Sequence, residues 1–229
     1  MIKKLSFLLL FLVACSTFSS AQKKDKVIAA RDIVAQQINK FLTVKGVELR
    51  PGLKMSTALD LLLQKGCTKA DNFEYAKSLG IYHLVGPFFS TKDCDINIIP
   101  TTYNKDVVGA IGITFPQQDN FRDLKATYDN IKTSLSNKYH LAECVEKFDD
   151  DFVANSTSDP LKLNAIAKKE AIFKSNFYVT EDTRSLFLGQ VILQIGAIKT
   201  GYLSKYLVFI TYSTSDTIVE QITQGEDDL

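Results

Sequence analysis

The most regular pattern lies mid-chain. Phe121, Leu124, Tyr128, Ile131 and Leu135 recur at steps of three and four, the period of one helix face. Arg122, Lys125, Asp129 and Lys132 fill the opposite face. Asn120, with Asp123 three residues on, resembles a capping box and marks the start. The spacing predicts a helix with its apolar stripe on a core and its lysines in water. It is expected to end near Tyr139–His140, with His140 as a left-handed cap.

Period-two alternation precedes this helix. Cys94, Ile96 and Ile98 alternate with Asp95 and Asn97, the pattern of a half-buried strand. Val107, Gly109, Ile111, Ile113 and Phe115 alternate with smaller residues until Pro116, and Tyr103–Asp106 reads as the turn between the two runs. Ile81–Phe89 is a third strand-like run, broken by Gly86-Pro87. Further upstream, Phe41–Leu49 reads as a strand and Pro51-Gly52 as a turn. A helix follows, with Ser56 as candidate N-cap and Gly66 as stop. Residues 22–39 read as a short helix or a mobile lead.

Beyond the central helix, Cys144–Phe148 reads as a short strand and Asp149–Asp159 as a polar loop. Pro160 suits the first turn of a helix reaching about Glu170. Strand runs follow at Ile172–Val179, Ser185–Ile195 and Leu203–Tyr212, and Thr214-Ser215-Asp216 caps a last helix through Ile222. The order helix, three strands, helix thus occurs twice, with almost no residues shared at matching places. It predicts an α+β fold, with mostly antiparallel sheets and helices on one face. Residues 40–229 form the expected domain, with 40–148 and 160–229 as candidate sub-lobes.

The N-terminus has the form of an address. Lys3 and Lys4 precede the apolar run Leu5–Val13, shorter than the roughly 20 residues of a membrane span. Ser19-Ser20-Ala21 then supplies small residues, so residues 1–21 are expected to be a secretory signal cut between Ala21 and Gln22. Leu12-Val13-Ala14-Cys15 offers an alternative, a lipobox with Cys15 lipidated. Loss of Lys3 and Lys4 would turn the formal charge of +1 into −1. Neither value suits a nucleic-acid binder. At 45% hydrophobic and 23% charged residues, the composition is that of a globular protein.

Candidate chemistry is sparse. The four cysteines are Cys15, Cys67, Cys94 and Cys144. None forms a C-x-x-C motif, and the histidines are His83 and His140, so neither zinc nor a cofactor is expected. Export permits a disulfide, and Cys94–Cys144 is the expected pair, with Cys67 a buried thiol. Free thiols throughout remain the alternative. His83 falls in an apolar run and is expected to be buried. Asp149–Asp151 lacks the spacing of a calcium loop. Asp216-Thr217-Ile218 is similar to the short O-glycosylation motif of exported Bacteroidetes proteins, which makes Thr217 a candidate if it is exposed.

Three segments carry a wider likeness. Phe88–Asp95, Val107–Pro116 and Tyr128–Phe148, with Glu143-Cys144-Val145-Glu146-Lys147-Phe148 at its end, resemble a family of exported Bacteroidetes proteins built on a domain of unknown function. The likeness spans roughly residues 40–229, and its motifs imply a fold without an activity. The helix–three-strand order also distantly resembles periplasmic inhibitor and outer-membrane-assembly lipoprotein modules, at the level of fold alone. The expectation is an exported, non-enzymatic protein, periplasmic or secreted, that binds a protein or a cell-envelope component, with no nucleic-acid partner and no membrane span. A hydrolase with a carboxylate-based site is the alternative.

Overall fold

The computed structural model describes residues 20–200 and 203–224. Helix α1 (Ser20–Ile38) leads into a small hairpin, β1 (Thr43–Val44) and β2 (Val47–Glu48). Helix α2 (Met55–Gln64), strand β3 (Thr68–Lys69) and helix α3 (Phe73–Ser78) follow. β4 (Tyr82–Phe88), β5 (Thr91–Pro100) and β6 (Val108–Thr114) form a meander before α4 (Phe121–Ser136) and β7 (His140–Phe148). Helices α5 (Asp151–Asn155) and α6 (Asp159–Lys168) precede β8 (Ala171–Tyr178) and a 3₁₀ turn (Thr183–Leu188). β9 (Gln190–Thr200), β10 (Leu203–Ser213) and α7 (Ser215–Gln224) complete the described chain.

β3 to β10 make one eight-stranded sheet, ordered β3-β4-β5-β6-β10-β9-β8-β7, with antiparallel pairing throughout. This is the α+β class expected from the sequence. The four strands before α4 and the four after it meet at β6–β10, where Ile113 lies opposite Ile210 and Ile111 opposite Tyr212.

Strand alternation decides which side chains meet the helices. Ile96, Ile98, Ile111, Ile113, Ile210, Tyr212, Val191, Leu193 and Phe177 stand on one face, and all are buried. Leu62 of α2, the stripe Leu124, Tyr128, Ile131 and Leu135 of α4, and Leu163 and Ile166 of α6 join them in one continuous cluster. Each fully buried aliphatic side chain contributes about 1.5–3 kcal/mol relative to exposure. The buried Tyr128 hydroxyl is satisfied by Ser175 Oγ at 2.7 Å.

Local expectations fail where a distant partner decides. Phe41–Leu49 is a hairpin and not one strand, because Lys45 (φ 49°) and Gly46 (φ 79°) take the paired left-handed conformation of a tight hairpin turn. Ser56 does not cap α2. Lys54 stands at that position without a side-chain bond, and the Met55 N–H donates to the Asp106 carbonyl at 2.8 Å instead. Helix α4 stops at Ser136. Tyr139 turns inward, its hydroxyl accepting from the Thr43 N–H at 2.9 Å, and His140 opens β7 and caps nothing.

The longer β7 brings Glu146 under α4, so Lys125 and Lys132 pair with it and are half-buried, not fully solvated. Residues 149–159 contain α5, whose first turn is capped by Asp150 accepting from the Phe152 N–H at 2.7 Å. The expected strand 185–195 splits at Gly189 (φ 104°), where any side chain would run into the Ser213 carbonyl. Residues 22–38 lie in α1, docked on α7 through the buried Arg31–Asp216 pair at 2.7 Å. Thr214 and Asp216 therefore do not cap α7. Thr214 donates to the Val108 and Gly109 carbonyls, and Asp216 accepts from Arg31 and from the Gly52 N–H.

Candidate functional site

The expected Cys94–Cys144 disulfide is incompatible with the sheet. Cys94 is on β5 and Cys144 on β7, with β6, β10, β9 and β8 between them. Five strand spacings amount to about 24 Å, against the roughly 7 Å between Cα atoms that a bridge requires. Cys67, Cys94 and Cys144 are all free thiols. Burial pushes the Cys67 thiol up and the Cys94 thiol up to about 11. Thr217 is half-buried and donates its hydroxyl to the Gly109 carbonyl at 2.6 Å, so its oxygen faces the fold and not a glycosylating enzyme. The Ala21–Gln22 bond falls in the first turn of α1, and Cys15 lies outside the described residues.

The helices cover one face of the sheet only. The apolar cluster contains no residue of the other face. Two rows of that face follow from the register. His83, Asn97, Gly112, Thr211, Ile192, Asn176 and Glu143 form one, crossing from β4 to β7. Val85, Asp95, Thr114, Phe209, Gln194, Lys174 and Val145 form the next. The face is open at Gly112, where a built methyl group would meet nothing within 4 Å, while Leu207 on the same face is buried. Ile99, Ile198 and Leu203 are exposed toward its margins. Seven strand spacings make the face about 34 Å wide.

His83 was expected in the core and instead belongs to this face, with its side chain 18% exposed. Its Nδ1 lies 2.5 Å from Asn72 Oδ1 and its Nε2 2.9 Å from Asp95 Oδ1. A histidine oriented by a carboxylate is half of a nucleophile-activating system. Both ring nitrogens are thus occupied, and among the described residues no serine or cysteine hydrogen-bonds to the ring, so the geometry offers neither a free ring nitrogen nor a nucleophile.

A second polar cluster lies where β7 passes under α4. The Ser175 hydroxyl donates to Cys144 Sγ at 3.4 Å, and the Cys144 thiol donates to Glu146 Oε1 at 3.3 Å. Lys125 lies 3.0 Å from Glu146 Oε2, and Lys132 bonds its other oxygen. Burial alone would raise the Glu146 carboxyl. Hydrogen bonds from Lys132, Lys125 and Cys144 overcome that and hold it down at about 2. A carboxylate fixed in its ionised form by two ammonium groups is an ion-pair anchor and a poor proton carrier near neutral pH.

A cleft of about 330 Å³ opens where the β1–β2 turn, the end of β4 and the last turn of α4 meet. Phe88, Phe89 and Leu135 are among its apolar lining and Tyr212 also lines it, while Lys45 and Lys138 contribute ammonium groups. No carboxylate lines it. Sequence reading missed this site. Lys45 and Tyr212 lie far apart in the chain, and no pattern in the sequence singles out Lys138 beside the expected helix end. No protein-family model, curated protein or solved structure matches the chain.

Proposed function

We propose that this is an exported, non-enzymatic binding protein that takes a protein of the cell envelope on the open face of its sheet. The observation that carries the reading is that the helices cover one face of an eight-stranded sheet while the other stays open at Gly112. That face mixes Asn97, Thr211, Gln194 and Asn176 with Ile192 and Phe209, the polar and apolar mixture of a non-obligate interface. The signal-like residues 1–21 support export. No helix among the described residues is long and apolar enough to cross a membrane. The hydrolase alternative would centre on His83 and Asp95, and the lack of a bonded nucleophile argues against it.

A photo-crosslinking residue at Thr211 tests the reading in cells, with Glu74 on the exposed side of α3 as control. A discrete adduct with one envelope protein is expected from Thr211 and not from Glu74. Gly112→Arg should remove it while leaving Tm within about 2 °C, as for a surface change. Equal labelling from both positions would overturn the proposal.

A further inference from the structure

We propose that the cleft between the β1–β2 turn and the end of α4 binds a small organic monoanion, with an apolar body against Phe88, Phe89 and Leu135 and a carboxylate or phosphate head between Lys45 and Lys138. This inference is independent of the open sheet face.

The charge argument comes first. Lys45 Nζ donates to the Pro87 carbonyl at 2.7 Å, and Lys138 Nζ bonds the carbonyl and hydroxyl of Thr43. Neither ammonium has a carboxylate partner among the described residues. An ammonium carries three donors, so two remain on Lys45 and one on Lys138. The C-terminus of α4 opposes an anion with roughly half a negative charge. Its last carbonyls already accept from the Asn137, Lys138 and Tyr139 N–H groups. Two full positive charges outweigh that partial one.

Tyr212 is the second, independent observation. It is 2% exposed, yet it lines the cleft. Its hydroxyl has no hydrogen-bond partner among the described residues. The equally buried Tyr128 shows the ordinary solution, a bond to Ser175. The Tyr212 phenol lies close enough to that of Tyr139 to feel it. The Tyr212 hydroxyl is not among the enclosed unpaired polar atoms of the described residues, so it reaches the solvent of the cleft it lines, and a ligand oxygen there would replace water as its partner.

The apolar side fits the same ligand class. The Phe88 and Phe89 rings meet edge to face at 4.9 Å, and Phe89 remains 45% exposed at the lip. Its backbone is held at φ 49°, a costly conformation for an aromatic residue. The volume of about 330 Å³ is at the small end of ligand sites.

Isothermal titration calorimetry with 4-phenylbutyrate, 4-phenylbutylamine and inorganic phosphate tests the proposal on the full chain. Saturable one-site binding of the carboxylate is expected, with neither the amine nor free phosphate matching it. The surface double variant Lys45→Gln/Lys138→Gln should weaken binding at least about tenfold. Tyr212→Phe should weaken it about threefold to tenfold with Tm maintained. Equal binding of the amine, or an unchanged double variant, would overturn the anion assignment. Phosphate binding as tightly as the carboxylate would overturn the apolar half. No saturable binding across carboxylates with bodies of roughly four to ten carbons would overturn the site.

Discussion

Gly86 explains both the silence and the closeness of two cysteines. It is paired with Cys94 across β4–β5, and a side chain on it would meet Cys67 Sγ at 3.1 Å. Both thiols are buried beside it, and neither is bridged. Burial keeps both protonated near neutral pH, whereas Cys144 is exposed. Iodoacetamide at pH 8 should therefore label Cys144 first in the native protein and all three only after unfolding. A Cys67–Cys94 bridge in protein purified without reductant would refute this arrangement. Glu146 gives a second residue-scale outcome. Its folded value of about 2 lies below the ordinary 4.5, so its contribution is present above about pH 4.5 and lost as pH falls toward 2. Glu146→Gln should cost about 2 kcal/mol at pH 7, less than the full shift implies because the site is partly solvated. Urea unfolding should show the two proteins converging near pH 2, and a constant gap at all pH values would remove the linkage.

Elements were legible where their own side chains decide them. The α4 stripe reads directly from Leu124, Tyr128, Ile131 and Leu135, and Asn120 caps it by accepting from the Asp123 N–H at 2.8 Å. Ile131→Ala should cost about 2–5 kcal/mol, measured by urea unfolding. A loss below about 0.5 kcal/mol would place that face outside the core. Ends were illegible wherever a distant group supplies the partner. The N-terminus of α2 is tied by Asp106, and the inward turn after α4 is tied by Thr43. Helix α1 is the strongest case, since its apolar pattern is weak and its anchor is Arg31, buried against Asp216. Arg31→Ala leaves a buried carboxylate without its cation and should cost about 3–5 kcal/mol. Adding Asp216→Ala should restore part of the loss in a double-mutant cycle. Strictly additive losses would show that the pair does not hold α1 in place.

At the scale of the whole molecule, the repeated order of elements becomes a sheet of two four-stranded halves joined at β6–β10. The alternation in each strand foretold its buried face, but nothing local foretold that β7 would leave the first half and pair with β8. That crossing matters for stability. The 40–148 segment contributes its last strand to the far edge, and α4 packs its stripe on β8, β9 and β10. One apolar cluster runs without a break from Leu84 on β4 to Phe177 on β8. Neither half can therefore open without uncovering core that belongs to the other. The β6–β10 junction is sealed by five paired positions and by Thr214, which donates to the Val108 and Gly109 carbonyls. Unfolding should accordingly be a single transition. Amide exchange measured under native conditions should give β5 and β9 the same opening free energy within about 0.5 kcal/mol, despite their place in different halves. A lower value for one half, or two resolved transitions in urea, would mean that the halves are separate folding units and that the sheet joins them only weakly.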